Sequence, residues 1–567
     1  MSRRHRAVAA GATVIVALGL TASGAAPPGA GPAGLAPDGH TSRLSARSPT
    51  TGPGSSQGGG QPDATTGDAG GPPAVAGPGP LVTTTSTAGV RPGTARVGTG
   101  TAGVGVPVEV VSPRPPPLGW SACDGDRECS TLVVPLDYAR PEGRHIGVAL
   151  ERRRAGDPAH RIGSVVLNPG GPGDSGVLNL TKDLAVLPAE VPARFDVVAF
   201  DPRGVGRSER VSCGGDLYRG PAPDPVPPTL MAAAPLIAAD QAYAASCAAS
   251  SGDLLAHVGT LDVARDLEGL RQALGEPGLT YVGLSYGTLL GALYAGMFPT
   301  HVRAMVLDGA IDPALTTDAL ANAQALGFER SLDAFFTWCT ADPGACAWHP
   351  SGDPHAAFAR LAGSVRDHPL GIGARTVGPS QFYTGVFGTL YARSFWPSLG
   401  RALAAVARGD GAPLLGLYDG YQGTGDPAFS GDANNAVTCL DHPVADDYSS
   451  YLGRAASAAS IAPDFGSLFA WAEMSCARWP VPAGAKRQPG PVTAPGSGPI
   501  LVIGTTQDPA TPYAWAQSLA SELAHGALLT RVGVDHVAIF YSACARTADR
   551  AVLVSLQLPA EGTICSS

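Results

Sequence analysis

A serine with glycine two residues to either side, Gly283-Leu284-Ser285-Tyr286-Gly287, closes the β-type run Leu279-Thr280-Tyr281-Val282 and precedes an apolar helical stretch. A strand-to-helix turn this tight admits only glycine at those positions and projects the serine hydroxyl outward, as in a nucleophile elbow. A hydroxyl is a poor nucleophile near neutral pH, so a base, an orienting carboxylate and donors for a developing oxyanion are required as well. Only His525 and His536 of the twelve histidines follow residue 500. His536 lies where the apolar run from Leu528 gives way to a loop ahead of a helix-like segment from Ala543 to Leu556, and is the candidate base. His525, beside Gly526, reads as a solvated residue capping a helix end. The candidate acid is Asp508, in the loop Gln507-Asp508-Pro509-Ala510-Thr511-Pro512 after the apolar run Pro499 to Gly504. Asp308, at the end of Ala304-Met305-Val306-Leu307, is the alternative acid, and otherwise a cap for the turn that follows. Oxyanion donors are expected from Gly170 or Gly171, in Asn168-Pro169-Gly170-Gly171-Pro172-Gly173, and from the amide of Tyr286. A phosphate cradle would be the other use of such a glycine loop. Against it, no Gly-Lys-Ser/Thr follows and Pro172 interrupts the donors.

These residues need elements that bring them together. The runs 163–167, 194–200, 279–284, 304–307 and 499–504 are short and almost wholly apolar, as strands buried on both faces should be. Between them, Val263, Leu267, Leu270 and Leu274 fall on one stripe of a helix closed by Gly275. Asp201 and Arg203, in Asp201-Pro202-Arg203-Gly204-Val205-Gly206-Arg207-Ser208, are read as pinning a tight loop. The alternation predicts an α/β class: a mostly parallel sheet with helices on both faces. The order Ser285, Asp508, His536 is that of the α/β-hydrolase fold.

As a set, the stretches 168–176, 201–208 and 265–275, Gly283-x-Ser285-x-Gly287-Thr288 and Leu307-Asp308-Gly309 resemble the secreted tripeptidyl aminopeptidases of actinobacteria, α/β-hydrolase serine exopeptidases related to prolyl aminopeptidases. The resemblance runs from about Leu118 to the C-terminus. It implies removal of short peptides, often tripeptides, from free N-termini, and a triad of Ser285, Asp508 and His536. It also implies that Thr511 braces Asp508. Two departures stand out. Pro169 precedes the glycines where prolyl aminopeptidases carry histidine, and Asp535 and Val537 flank His536 where the family commonly has glycine. A carboxylate at 535 would raise the imidazole pKa if it pointed inward.

Residues 313–495 are too many for an ordinary crossover. Helical spacing of Leu332, Phe335, Phe336 and Cys339 predicts an inserted, mainly helical cap, flanked by core segments 118–312 and 496–567. An exopeptidase must hold the substrate ammonium with carboxylates, and the cap offers Asp441 and Glu473. At the N-terminus, Arg3, Arg4 and Arg6 precede apolar residues 7–20 and a small-residue stretch to Ala26, which reads as a signal peptide over 1–26. The apolar core is short for a membrane anchor, and no cysteine precedes Cys123 for lipid attachment. Residues 27–117, rich in Gly, Pro, Ala, Ser and Thr, read as a disordered linker or pro-segment. Ten cysteines in an exported chain suggest five disulfides. Neighbour pairing would join 123 to 129, 213 to 247, 339 to 346, 439 to 476 and 544 to 565, although order alone does not fix connectivity. A formal net charge of −9, with only two lysines among 38 basic residues, gives no basic patch for nucleic acid. No metal-site spacing occurs and no cofactor is implied. The expectation is a secreted, monomeric serine aminopeptidase. A carboxylester hydrolase using the same triad, or a catalytically silent binding module on this fold, are the alternatives.

Overall fold

The computed structural model describes residues 115–214, 222–422 and 427–566. The signal-peptide expectation, and all but the last three residues of the linker expectation, lie outside them. Ten strands form one sheet in the order β1-β2-β3-β5-β4-β6-β7-β10-β11-β12. They are β1 (Ser121–Ala122), β2 (Arg127–Pro135), β3 (His145–Arg153), β4 (Gly163–Asn168), β5 (Phe195–Phe200), β6 (Leu279–Leu284), β7 (Val302–Asp308), β10 (Ile500–Thr505), β11 (Gly526–Arg531) and β12 (Ile564–Cys565). β1, β2 and β3 are antiparallel to their neighbours, and from β5 to β12 every pairing is parallel.

The apolar runs β4, β5, β6 and β10 are buried at every residue, because successive side chains point to opposite faces and both faces are covered. Val165 and Leu167 pack with Leu180 and Val191, of helices α1 (Gly176–Val186) and α2 (Glu190–Arg194), and with Val552 of α15 (Ala543–Ser555). On the opposite face Val166, Met305 and Val502 meet α4 (Thr260–Leu274), α5 (Tyr286–Met297) and α14 (Tyr513–Glu522). Val263, Leu267 and Leu270 of α4 are buried as the stripe predicts, and Gly275 ends that helix in the left-handed region at φ 73°. Full burial of one such leucine stabilises the fold by about 1.5–3 kcal/mol.

The order in which successive parallel strands are added reverses at β4: β5 lies on one side of it and β6 on the other. A crevice beyond the carboxyl ends of the strands is expected where the order reverses. Register brings the relevant ends level there, with Asn168 beside Gly283, Leu284 beside Asp308, and Asp308 beside Ile503.

Between β7 and β10 come α6 (Thr317–Ala341), α7 (Pro354–Asp367), the hairpin β8 (Leu370–Ile372) and β9 (Arg375–Val377), α8 (Pro379–Thr389), α9 (Trp396–Val406), α10 (Ala412–Tyr421), α11 (Gly431–Asp441), α12 (Ser450–Ile461) and α13 (Gly466–Ala472). One further helix, α3 (Leu230–Ser251), precedes α4 in the chain but packs Ala233 and Leu236 against Tyr451, Ala455, Trp471 and Met474 of this helical segment. The five disulfides join Cys123–Cys129, Cys213–Cys247, Cys339–Cys346, Cys439–Cys476 and Cys544–Cys565, which is the neighbour pairing. Each closed loop contributes about 2–4 kcal/mol to stability.

Candidate active site

Ser285 links β6 to α5 with φ 53° and ψ −122°, a conformation a non-glycine residue holds at a cost of about 1–3 kcal/mol. Its N–H donates to Asp308 O at 2.9 Å, and its carbonyl accepts from Thr288 N–H at 2.9 Å and from the Thr288 hydroxyl at 2.6 Å. A Cβ on Gly283 would stand 2.3 Å from Gly287 O, and one on Gly287 2.7 Å from Asn168 O. Both glycines are therefore demanded by contact. Ser285 is 1% exposed, and its Oγ has no hydrogen-bond partner.

Asp508 and His536 face each other across the loops after β10 and β11. Nδ1 of His536 lies 2.9 Å from both carboxylate oxygens of Asp508, and both side chains are fully buried. Asp508 Oδ1 also accepts the amides of Ala510 at 2.9 Å and Thr511 at 2.8 Å. An acceptor held by two amides beside Nδ1 keeps the imidazole proton on Nδ1 and leaves Nε2 as a base. Nε2 of His536, like Ser285 Oγ, ends without a hydrogen-bond partner. Thr511 meets Asp508 through its amide, while its hydroxyl lies 3.2 Å from Nδ1 of His536. From the helical segment, Tyr391 O accepts the His536 N–H at 2.9 Å, and the Tyr391 ring meets the imidazole edge to face at 5.6 Å.

The residues flanking the histidine have physical roles. Asp535 accepts from Arg531 at 2.7 Å and from the Arg393 amide at 2.8 Å, so its charge is spent on those partners. Val537 has φ 66°, the left-handed region that glycine enters without penalty and a β-branched residue does not. The next two amides hold the loop in place: Ala538 N–H donates to Asp308 Oδ1 at 2.9 Å and Ile539 N–H to Oδ2 at 2.8 Å. Both oxygens of Asp308 are thus taken by the histidine loop, and its main-chain carbonyl by Ser285. Burial pushes its carboxyl up to about 6, against the pull of those two amides. Asp308 hydrogen-bonds the histidine loop and not the imidazole. Sequence spacing gave no hint of this, since the donors lie some 230 residues away.

Gly170, Gly171 and Gly173 have φ of 111°, 106° and 102°, and the Gly171–Pro172 peptide is cis. A Cβ on Gly170 would stand 2.7 Å from Leu284 O and 3.5 Å from Tyr286 N, so this loop packs against the elbow. The Gly170 amide donates to Asn168 Oδ1 at 3.1 Å. The Gly171 amide makes no backbone–backbone hydrogen bond among the described residues. Tyr286 opens α5, where the first amides have no intrahelical acceptor and the helix dipole favours negative charge. Asp201 ties the neighbouring loops together by accepting from Ser175 Oγ, the Val177 amide and the Arg207 amide. Arg203 is fully buried, pairs with Asp266 through two 2.6 Å contacts, and donates to Leu136 O, His257 O and Pro135 O.

The two candidate amine-binding acids differ. Asp441 is buried and accepts from the Thr260 amide at 3.0 Å and from the Thr260 hydroxyl. Glu473 is buried and pairs one oxygen with Arg454 at 3.2 Å, while Oε1 has no partner. Burial pushes the Glu473 carboxyl up to about 7, and Arg454 pulls it down. Glu473 lines a cavity of about 380 Å³ with Asp318, Asn322 and Arg454. Elsewhere in the helical segment Glu329, His355 and Asp464 bring potential metal-ligand atoms within 4.8 Å of one another. His355 already bonds Asp464 and Asp333 at 2.8 Å each, so the group is a complete ion-pair cluster. A second such group, Cys123, Cys129 and Glu151, has its two sulfurs joined in a disulfide.

The family model for the alpha/beta hydrolase fold matches residues 163–543. The chain is 36% identical to the serine protease Hip1 of Mycobacterium tuberculosis over 79% of its length and 91% of that protein. It is 32% identical to the tripeptidyl aminopeptidase of Streptomyces lividans over 73% of its length and 79% of that protein. A carboxylesterase B of Mycobacterium tuberculosis is 33% identical over 73% of this chain and 81% of its own.

Proposed function

The chain belongs to the α/β-hydrolase family, and from that premise we propose that it is an exported serine aminopeptidase releasing short peptides, chiefly tripeptides, from free N-termini. The observation that carries the proposal is the buried Asp508–His536 pair, whose free Nε2 shares the end of the sheet with the unpartnered Oγ of Ser285. In this reading Nε2 takes the Ser285 proton as Oγ adds to the scissile carbonyl carbon. The carbonyl oxygen takes up negative charge against the amides of Gly171 and Tyr286, since the Gly170 amide is held by Asn168. His536 then protonates the departing amine, and water repeats the sequence on the acyl-enzyme. In this reading Ser285 Oγ and His536 Nε2, both unpartnered in the free protein, form their hydrogen bond when substrate is bound.

We propose that the helical segment between β7 and β10 caps the site. Support comes from Tyr391, which covers His536, and from the burial of Ser285 and His536. Substrate entry then requires this segment to move. Of the two acids, Glu473 is the better partner for a substrate ammonium, because its Oε1 is unpartnered while Asp441 is occupied by Thr260. Five disulfides fit an exported protein, and no helix among the described residues is long and apolar enough to cross a membrane.

Digestion of a peptide of known sequence, with its N-terminus free or acetylated, tests the reading by mass spectrometry. Release of N-terminal fragments from the free peptide alone supports it. Equal cleavage of both forms overturns the exopeptidase reading. The carboxylesterase relative makes ester hydrolysis the second reading, and turnover of simple esters with intact peptides would favour it.

A further inference from the structure

Helix α11 touches both walls of the proposed oxyanion hole. At its N-terminal end the Ser430 amide donates to Gly173 O at 3.0 Å and Asn434 Nδ2 donates to Pro172 O at 2.8 Å. Gly173 lies so near that a Cβ on it would stand 2.5 Å from Ser430 O. At its C-terminal end Asp441 accepts both the amide and the hydroxyl proton of Thr260. The Thr260 oxygen, its own proton committed, accepts from the Tyr286 hydroxyl at 2.5 Å. Tyr286 is buried, so this contact fixes the far end of the residue whose amide faces the reacting oxygen.

We propose that α11 aligns the two oxyanion donors, Gly171 through Pro172 and Gly173, and Tyr286 through Thr260, with Asn434 and Asp441 as positioning residues. The inference rests on the reading of Ser285 as nucleophile. α11 belongs to the helical segment that must shift to admit substrate, and the Cys439–Cys476 disulfide ties it to the turn after α13. Opening therefore slackens both donors together, and closure over a bound peptide restores both. Misplacing a reacting group by about 1 Å costs roughly a hundredfold in rate, so small shifts of this helix are enough to gate the chemistry.

The test compares Asn434→Ala, Asp441→Asn and Tyr286→Phe with Asp432→Asn. Asp432 also lies on α11, but it faces the Cys213 amide and the Tyr243 hydroxyl instead. For each variant, kcat and KM on a peptide substrate are measured with the inhibition constants of a matching peptide aldehyde and peptide alcohol. Ser285 Oγ adds to the aldehyde carbon and places its oxygen at the oxyanion position, whereas the alcohol only binds. The first three variants are expected to lose roughly 10- to 100-fold in kcat, with KM within about twofold and aldehyde affinity falling in step. The alcohol should bind as before, and Asp432→Asn should change melting temperature only. Tyr286→Phe removes a single oxygen and keeps the test open if another variant fails to fold. Unchanged aldehyde affinity in folded variants, or equal losses in Asp432→Asn, overturns the proposal. Ser285→Ala run alongside separates the two readings, because its survival would overturn the catalytic reading itself.

Discussion

Replacing Asp508 by asparagine should abolish turnover while leaving the fold intact, and the structure says why. The amides of Ala510 and Thr511 both donate to Oδ1, so the amide oxygen of asparagine must take that position. Its NH2 group is then forced to the position of Oδ2, 2.9 Å from Nδ1 of His536 and 3.4 Å from the Val537 amide. The oxygen at Oδ1 is also 2.9 Å from Nδ1 but already accepts two amides, so Nδ1 instead accepts from the new NH2 group, which places the imidazole proton on Nε2. A histidine with its proton facing Ser285 cannot act as base. The expected loss is about 10⁴ in kcat, the magnitude known for a buried triad aspartate converted to its amide. KM and melting temperature should change little, since the volume and two of the hydrogen bonds are kept. Asp308→Asn inverts the pattern. Its amide must leave Ala538 or Ile539 without an acceptor, costing about 1–3 kcal/mol of stability, and it leaves the imidazole tautomer alone. Steady-state kinetics and thermal unfolding of both variants decide the matter. A kcat loss below tenfold for Asp508→Asn, or a greater loss for Asp308→Asn, refutes the reasoning.

Further outcomes follow from other contacts. Gly287→Ala should abolish folded, active protein, because its Cβ would stand 2.7 Å from Asn168 O; recovery of wild-type kcat would contradict that contact. Arg203→Met leaves Asp266 buried without its ion pair and should destabilise the protein by about 3–5 kcal/mol in denaturant unfolding. Burial raises the carboxyls of Asp183, Asp441 and Glu473 to about 7 and of Asp308 to about 6. The His442 imidazole, lowered by burial to about 4, acts in the opposite direction, but the raised carboxyls outnumber it, so the folded protein binds more protons than the unfolded chain between roughly pH 4 and 7 and its stability should fall as pH rises through that window. Glu128, held down to about 2 by Arg154 and Arg152, acts below it. A melting temperature lower at pH 5 than at pH 8 would contradict the assignment.

The sheet was legible in the sequence because its strands are apolar runs buried on both faces, and the elbow because Gly283 answers to a local contact with Gly287, although the demand on Gly287 itself comes from Asn168 on β4. Gly275 gave the end of α4 for the same local reason. What depends on long-range donors was not legible. The bond from Asp308 to the amides of 538 and 539 forms only once β7 and the loop after β11 are adjacent. The tie from Asp441 to Thr260 crosses 181 positions of chain. α3 went unread because its alanine-rich sequence presents no single apolar stripe, and it is a partner surface on α12 and α13 that orders it. The partner of Asp535 was not legible either: Arg531, at the end of β11, holds its carboxylate.

The central claim is that Ser285 forms a covalent acyl intermediate through His536. Intact-mass analysis after reaction with a fluorophosphonate, followed by peptide mapping, tests it most directly. One adduct should form on Ser285 and none in Ser285→Ala, with labelling slowed by about three orders of magnitude or more in His536→Ala. Labelling at another residue, or peptide turnover that persists in Ser285→Ala, would contradict it.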